Sequence, residues 1–342
     1  MPGLRPAEAG EFSRRAFENG KFDLTAAEGI ADLVNAETEL QRRQALRQME
    51  GALGGIYETW RERLIRALAK LEACIDFPED DLPAGLSEEV RHLASELATE
   101  IGVHLADNRQ GERLREGISV AILGAPNSGK SSLLNYLAGR DAAIVSARAG
   151  TTRDVVEVRL DLGGYAVDLA DTAGLRDAAD EIEAEGVRRA LMRAEHADIN
   201  ILLFDASVLP EIDPGTQTLL DERSLTVISR ADLAVPADRA LPSGAMRISI
   251  KTGEGLAELL SELGRRVEKL AGLTAGPALT RVRHRQSLVA AESALRGAVT
   301  ARALELIAEE LRLAVRSIGG ITGRVDIEDI LDVVFRDFCI GK

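Results

Sequence analysis

The stretch Gly124-Ala125-Pro126-Asn127-Ser128-Gly129-Lys130-Ser131 reads G-x-x-x-x-G-K-[ST], the phosphate-binding P-loop. Ahead of it lies Ile118-Ser119-Val120-Ala121-Ile122-Leu123, a short apolar run of the kind that forms a buried parallel strand. Behind it, Ser132-Leu133-Leu134-Asn135-Tyr136-Leu137 can open a helix. Strand, glycine loop and helix are the context this motif requires. Backbone N–H groups of such a loop, together with the positive end of the helix, surround a polyphosphate. Gly124 and Gly129 let the backbone approach closely and turn at positive φ. Lys130 neutralises the outer phosphates, and the Ser131 hydroxyl reaches Mg²⁺.

Downstream, Gly150-Thr151-Thr152-Arg153-Asp154 stands where a switch loop brings a hydroxyl, that of Thr152, to Mg²⁺ and the γ-phosphate. Residues 155–162 alternate as a strand, Gly163-Gly164 is a two-residue hairpin turn, and 165–170 is the return strand. That strand delivers Asp171-Thr172-Ala173-Gly174. Asp171 is expected to reach Mg²⁺ through water, and the Gly174 N–H to sense the γ-phosphate. Apolar strands at 199–204, 226–229 and 247–250, with helical stretches between, predict a doubly wound α/β sheet.

Ser229-Arg230-Ala231-Asp232 follows a strand where GTP-binding proteins carry Asn-Lys-x-Asp. The Asp232 carboxylate can accept hydrogen bonds from guanine N1 and N2, which adenine does not offer. Ser229 reaches less far toward guanine N7 than asparagine, and Arg230 can stack on the base. The pair predicts weakened guanine affinity, with specificity kept by Asp232. Ser249-Ile250-Lys251 follows the last strand, where backbone N–H groups read guanine O6. Five elements in this order predict a Ras-like GTPase domain. Its nucleotide contacts are expected from Asn127, Ser128, Gly129, Lys130, Ser131 and Ser132, and from Ser146, Ala147, Arg148, Ala149, Gly150, Thr151 and Thr152. Asp171, Thr172, Ala173, Gly174, Ser229, Asp232, Ser249, Ile250 and Lys251 complete the set. Leu175 occupies the position of the glutamine that orients the attacking water in Ras-like enzymes, so another group must do this.

Composition narrows the remaining possibilities. The 342 residues suffice for two or three domains, and 45% hydrophobic with 29% charged is ordinary globular material. Aromatics are only 3%, so Leu, Val, Ile and Ala must fill the core. A net charge of −14 argues against non-specific nucleic-acid binding. No apolar run approaches a membrane span, no secretory signal pattern opens the chain, and two cysteines suggest a reducing cytoplasm. Cys74 reads as core, and the scattered histidines and cysteines form no metal-ligand pattern.

The flanks are helical. Residues 24–75 read as helix, with Thr25 and Glu28 as a capping box and Trp60, Leu64, Leu68 and Leu71 on one face of a second run. Another helix is expected over about 87–114 with Ser87 as cap. Beyond 277, a helix through 288–315 is expected to break at Gly319-Gly320, and Asp326 to cap a last amphipathic helix. The basic run Arg281-Val282-Arg283-His284-Arg285 reads as a solvated helix start before it reads as an RNA contact. The simplest architecture inserts the α/β domain into a helical one.

Gly150-Thr151-Thr152-Arg153-Asp154, Asp171-Thr172-Ala173-Gly174-Leu175-Arg176 and the terminal Phe338-Cys339-Ile340-Gly341-Lys342 together resemble the MnmE (TrmE) tRNA-modification GTPases. So does the segment from Gly10 to Lys21, a form of P-G-E-F-T-x-R-A-F-x-N-G-K. The resemblance runs along essentially the whole chain. It implies a folate-binding domain, of which 1–23 would be a remnant, a helical domain at 24–115 and 275–342, and a G domain at 116–274. It implies a homodimer whose G domains pair across their nucleotides, with K⁺ supplying the charge of an arginine finger. Asn127, Ser146, Arg148 and Thr151 would ligate that K⁺, and Glu183 would orient the water. Cys339 would serve tRNA modification, and Lys21 and Lys342 would lie near a 5-formyl- or methylene-tetrahydrofolate. The implied activity is C5 modification of the wobble uridine of tRNA with the FAD-containing partner MnmG in a heterotetramer-type complex. The alternatives are a regulatory GTPase of the ribosome-assembly kind and a general P-loop ATPase. Cys339 and the terminal Gly341-Lys342 speak against the first, and Asp232 against the second.

Overall fold

A computed structural model describes residues 5–76, 85–140, 143–144, 157–171, 191–209, 213–233, 244–272 and 277–324. In chain order the described elements begin with helices α1 (Glu11–Glu18), α2 (Leu24–Val34), α3 (Glu39–Met49), α4 (Ala52–Asp76), α5 (Leu86–Leu105) and α6 (Gln110–Glu116). There follow β1 (Ile118–Gly124), α7 (Lys130–Ala138), β2 (Glu157–Leu162), β3 (Tyr165–Asp171), β4 (Ile199–Asp205), α8 (Pro214–Gln217), β5 (Ser224–Ser229), β6 (Met246–Arg247) and α9 (Leu256–Ala271). Helices α10 (Val282–Thr300) and α11 (Leu304–Thr322) close the series. They fall into two compact units. One lies within Met1–Ala36, Leu40–Arg115 and Leu273–Lys342, the other within Glu37–Glu39 and Glu116–Gly272.

In the first unit, α4, α5, α10 and α11 share one apolar core. On α4 the buried residues include Leu53, Tyr57, Trp60, Leu64, Ala67 and Leu71, an alternation of four and three that keeps one stripe inward along the helix. Cys74 is buried, as its setting predicts. Phe17 of α1 packs with Leu24 and Ala27 of α2 in a small separate cluster.

Helix boundaries depart from the sequence reading in ways that have physical causes. The stretch 24–75 is three helices, interrupted after Asn35 and at Gly51, whose φ is 87°. The cap of α2 is Asp23, which accepts from the Ala26 N–H at 2.8 Å, while Thr25 donates to the same carboxylate. Asp is as good a cap as Thr and stands two residues earlier, so Thr25 and Glu28 fall inside the helix. The expected helix at 87–114 is α5 and α6, divided where Asn108 and Arg109 both turn left-handed at φ 51° and 59°. In the last pair the break is at Ala301 rather than at Gly319-Gly320, which lie within α11. Gly319 is buried there. The helix expected from Asp326 lies outside the described residues.

The basic run at 281–285 is neither solvated nor turned outward. Glu28, 1% exposed, accepts from Arg283 Nε at 2.7 Å and His284 Nε2 at 2.8 Å, with Arg281 Nε at 3.3 Å. Arg281 also pairs with Asp32 at 2.7 Å, and Arg283 reaches the Gly320 and Ile321 carbonyls at the end of α11. Arg285 binds Glu112 and Asp107. Burial opposes the charge of Glu28, but the two guanidiniums and the hydrogen bond from His284 hold its carboxyl well below the usual range. Burial pushes the His284 imidazole below its ordinary value, against the pull of Glu28. Among the described residues the buried Nδ1 has no partner, so a protonated ring would strand an N–H there. The ring is therefore neutral, and the arginines balance Glu28.

The second unit is a six-stranded sheet in the order β2-β3-β1-β4-β5-β6, parallel except that β2 runs against β3. Strand β4 is buried along nearly its whole length, as expected for a central parallel strand. Gly163 and Gly164 have φ of 66° and 91° and join β2 to β3 with Leu162 opposite Tyr165, the two-residue turn read from sequence. Helix α9 buries Leu256, Leu259, Leu263 and Val267, and packs with α7 on β2 and β3. Arg159 of β2 donates from Nε and Nη2 to Asp168 of β3 and from Nη1 to Glu37. The last strand is shorter than its apolar run because Ser249 N turns to bond the Glu254 carbonyl.

Candidate functional site

Strands β3, β1, β4 and β5 end together, at Asp171, Gly124, Asp205 and Ser229. Their registers pair Ile122 with Asp171, Gly124 with Leu203, and Asp205 with Ser229. From β1 the chain passes to β3 on one side, then to β4 on the other. The end of β1 is thus the switch point of the sheet, where open α/β sheets bind ligands.

The P-loop begins there. At Gly124 a Cβ would lie 2.4 Å from the Leu203 carbonyl oxygen and 2.8 Å from Ser128 Oγ, so only glycine fits between β1 and β4. Asn127 and Gly129 turn at φ 63° and 101°, and Gly129 caps α7. The Lys130 side chain, 7% exposed, donates from Nζ to the Gly124 and Ala125 carbonyls, both at 2.8 Å. An ammonium is thereby folded under the loop, beside the N-terminus of α7 and its positive dipole end. Ser128 Oγ is buried without a partner among the described residues. Ser131 and Ser132 are exposed on the first turn of α7. This arrangement suits an anionic polyphosphate.

The loop after β5 meets this one, and the loop after β6 meets the loop after β5. Ser229 Oγ donates to the Ser128 carbonyl at 2.7 Å. Arg230 donates to the Asn127 carbonyl at 3.0 Å and pairs with Asp205 at 2.9 Å. The exposed Asp232 accepts from the buried Ser249 Oγ at 2.8 Å, which fixes the carboxylate. The Ala231 N–H bonds to the Ile248 carbonyl, tying the two loops together. Ile250 is half-buried and Lys251 exposed at the end of this loop. Asp205 was not singled out from the sequence, although Asp205-Ala206-Ser207 carries the signature of the turn it forms, with Oδ1 accepting from the Ser207 N–H.

Asp171 is placed at the end of β3 next to β1. Lys21 is exposed in the turn after α1, in the helical unit. Ser146, Ala147, Arg148, Ala149, Gly150, Thr151, Thr152, Thr172, Ala173, Gly174, Glu183, Cys339 and Lys342 lie outside the described residues.

A glycine loop at the switch point of a parallel sheet, a lysine beneath it and a fixed carboxylate on the neighbouring loop define a P-loop protein of the GTP-binding class. The family model described as the MnmE helical domain matches residues 24–339. The tRNA modification GTPase MnmE of Paramagnetospirillum magneticum is 56% identical over 342 residues, covering 99% of this chain and 78% of that protein. The protein of the same description from Rhodospirillum rubrum is 56% identical over 344 residues, covering 100% of this chain and 76% of that one. The chain belongs to the MnmE family. Among solved structures, the G domain of the T. maritima FeoB iron transporter shares 26% identity, covering 45% of this chain and 98% of that one, at a TM-score of 0.30. The fold assignment rests on the chain's own strand order.

Proposed function

We propose that this chain is a cytoplasmic, K⁺-stimulated GTPase whose hydrolysis cycle drives C5 modification of the wobble uridine of tRNA together with an FAD-containing partner. The observation that carries the guanine reading is the Asp232 carboxylate, held by Ser249 at 2.8 Å on a loop that is itself bonded to the P-loop. A carboxylate there accepts from guanine N1 and N2 and rejects adenine, whose corresponding edge offers an acceptor. Family membership supports the tRNA role. No helix among the described residues is long and apolar enough to cross a membrane.

The residues present fit Mg²⁺–GTP. Lys130 and the N-terminus of α7 supply positive charge, and Ser131 and Thr152 would hold the metal, whose charge offsets that developing on the phosphates. Asn127 fits a K⁺ ligand, because its side-chain amide is exposed and bonds to no other described residue. Ser146, Arg148 and Thr151 would complete that site, and Glu183 would orient the water that Leu175 cannot. A homodimer would pair the G domains across their nucleotides. Cys339 would act in tRNA modification, and Lys21 and Lys342 would face a folate. In this reading 1–23 belongs to a folate domain, 24–115 and 275–342 to the helical domain, and 116–274 to the G domain.

The test is GTP turnover by the purified chain in KCl against NaCl of equal ionic strength. Strong stimulation by K⁺ is expected. Equal rates in the two salts would remove the potassium site and G-domain pairing from this reading.

A further inference from the structure

Two successive residues at the end of β5 hold two successive carbonyls of the phosphate loop. Ser229 Oγ, 2% exposed, donates to Ser128 O at 2.7 Å, and Arg230 Nη2 donates to Asn127 O at 3.0 Å. The only other described acceptor near the serine is Phe204 O, at 3.3 Å and again inward. A hydroxyl has one proton, and the shorter contact takes it. Arg230 is fixed in turn. Its backbone is left-handed at φ 58°, and its guanidinium pairs with Asp205 at 2.9 Å and reaches Ser207 Oγ at 3.3 Å.

The peptide unit is planar and trans, so the Ser128 carbonyl and the Gly129 N–H point in opposite directions. Drawing Ser128 O toward β5 turns the Gly129 N–H away from β5. Gly129 caps α7, where the backbone donors that receive a phosphate are found. A serine committed to this bond has no second proton for an acceptor on the base, and Nη1 and Nη2 of the guanidinium are directed at Asp205 and the loop.

We propose that Ser229 and Arg230 are positioning residues that hold the phosphate loop in its anion-binding form and read no part of the base, leaving base selection to Asp232 and Ser249. This rests on the GTP reading above and adds a division of labour within that site.

The test measures dissociation constants of the full chain for GTP and 7-deaza-GTP, which lacks N7, using Mg²⁺ buffer and displacement of a fluorescent guanine nucleotide. Wild type is expected to bind the two within threefold of each other. Ser229→Ala should weaken both by the same factor, about 2- to 12-fold, the worth of one neutral hydrogen bond. Ser229→Thr, which keeps the hydroxyl, should restore both, and Arg230→Ala should also weaken both equally. A wild-type preference for GTP above threefold, a Ser229→Ala loss confined to GTP, or no recovery with threonine would each overturn the proposal. Wild type binding neither nucleotide would overturn the GTP reading itself, and the clamp with it.

Discussion

Glu28→Gln removes the charge at the centre of the buried network of the helical unit. Glu28 receives Arg283 at 2.7 Å and His284 at 2.8 Å, with Arg281 at 3.3 Å. Glutamine keeps one acceptor oxygen and turns an NH₂ toward a neighbour that is itself a donor, so at least one bond is lost and a donor pair is opposed. Breaking a buried pair by removing one partner costs about 3–5 kcal/mol. Arg281 keeps Asp32, Arg283 keeps the carbonyls of Gly320 and Ile321, and the neutral His284 loses no charge partner. The low end, about 3 kcal/mol, is therefore expected. At roughly 2–4 °C per kcal/mol for a unit of this size, the thermal midpoint should fall by about 6–12 °C. Calorimetry or circular dichroism on the full chain reads this, with Glu309→Gln as control. Glu309 pairs with Arg312 in the open, and its loss should cost at most about 1 kcal/mol. GTP affinity should be unchanged, since Glu28 bonds to no loop residue. A midpoint shift for Glu28→Gln no larger than that of Glu309→Gln would refute the reasoning.

Acidification should act through the same network. His284 and His104 are both held below their ordinary 6.5 by burial, so the unfolded chain binds more protons below that pH. Stability present in full above about pH 6.5 should fall on acidification, by at most about 1.4 kcal/mol per pH unit per histidine, and His284→Gln should flatten the curve from pH 7 to 5. The depressed carboxyl of Glu28 adds a loss only below its unfolded value of 4.5. Asp232→Asn should weaken GTP by about 10- to 150-fold, the worth of a hydrogen bond to a charged group, and shift preference toward xanthosine triphosphate in competition assays; unchanged GTP use would sink the guanine assignment. Gly124→Ala forces a Cβ to within 2.4 Å of Leu203 O, and should cost about 1–3 kcal/mol in urea unfolding together with nucleotide binding. An alanine variant that binds normally would show that β1 and β4 can separate there freely.

The sheet was legible because parallel strands announce themselves. Residues 118–123 and 199–204 are apolar runs broken only by Ser119 and Asn200, and both are central strands. The P-loop was legible because its glycines are dictated by what surrounds them. The helical unit was harder to read. The turn at Asn108-Arg109 carries no glycine or proline, and the helix runs on through the glycines at 319 and 320. The run at 281–285 looked like a solvated start because charge is usually outside. Its partners Glu28, Asp32, Asp107 and Glu112 are far away in sequence, and nothing local reveals them. For the same reason the contact of Ser229 with Ser128 could not be read from a motif centred on the base.

The division of the four-helix core between the two ends of the chain has a consequence for synthesis. The apolar stripes of α4 and α5 leave the ribosome well before α10 and α11, which cover them. Roughly 180 residues intervene, so at about 5–20 residues per second those stripes wait about 10–40 s for their partners. The intervening strands need only one another to form their sheet, and they can close while the earlier helices are still half-covered. The interval in which this protein is most open to aggregation is thus set by the length of its own insertion, and slowing translation across 116–272 should lengthen it.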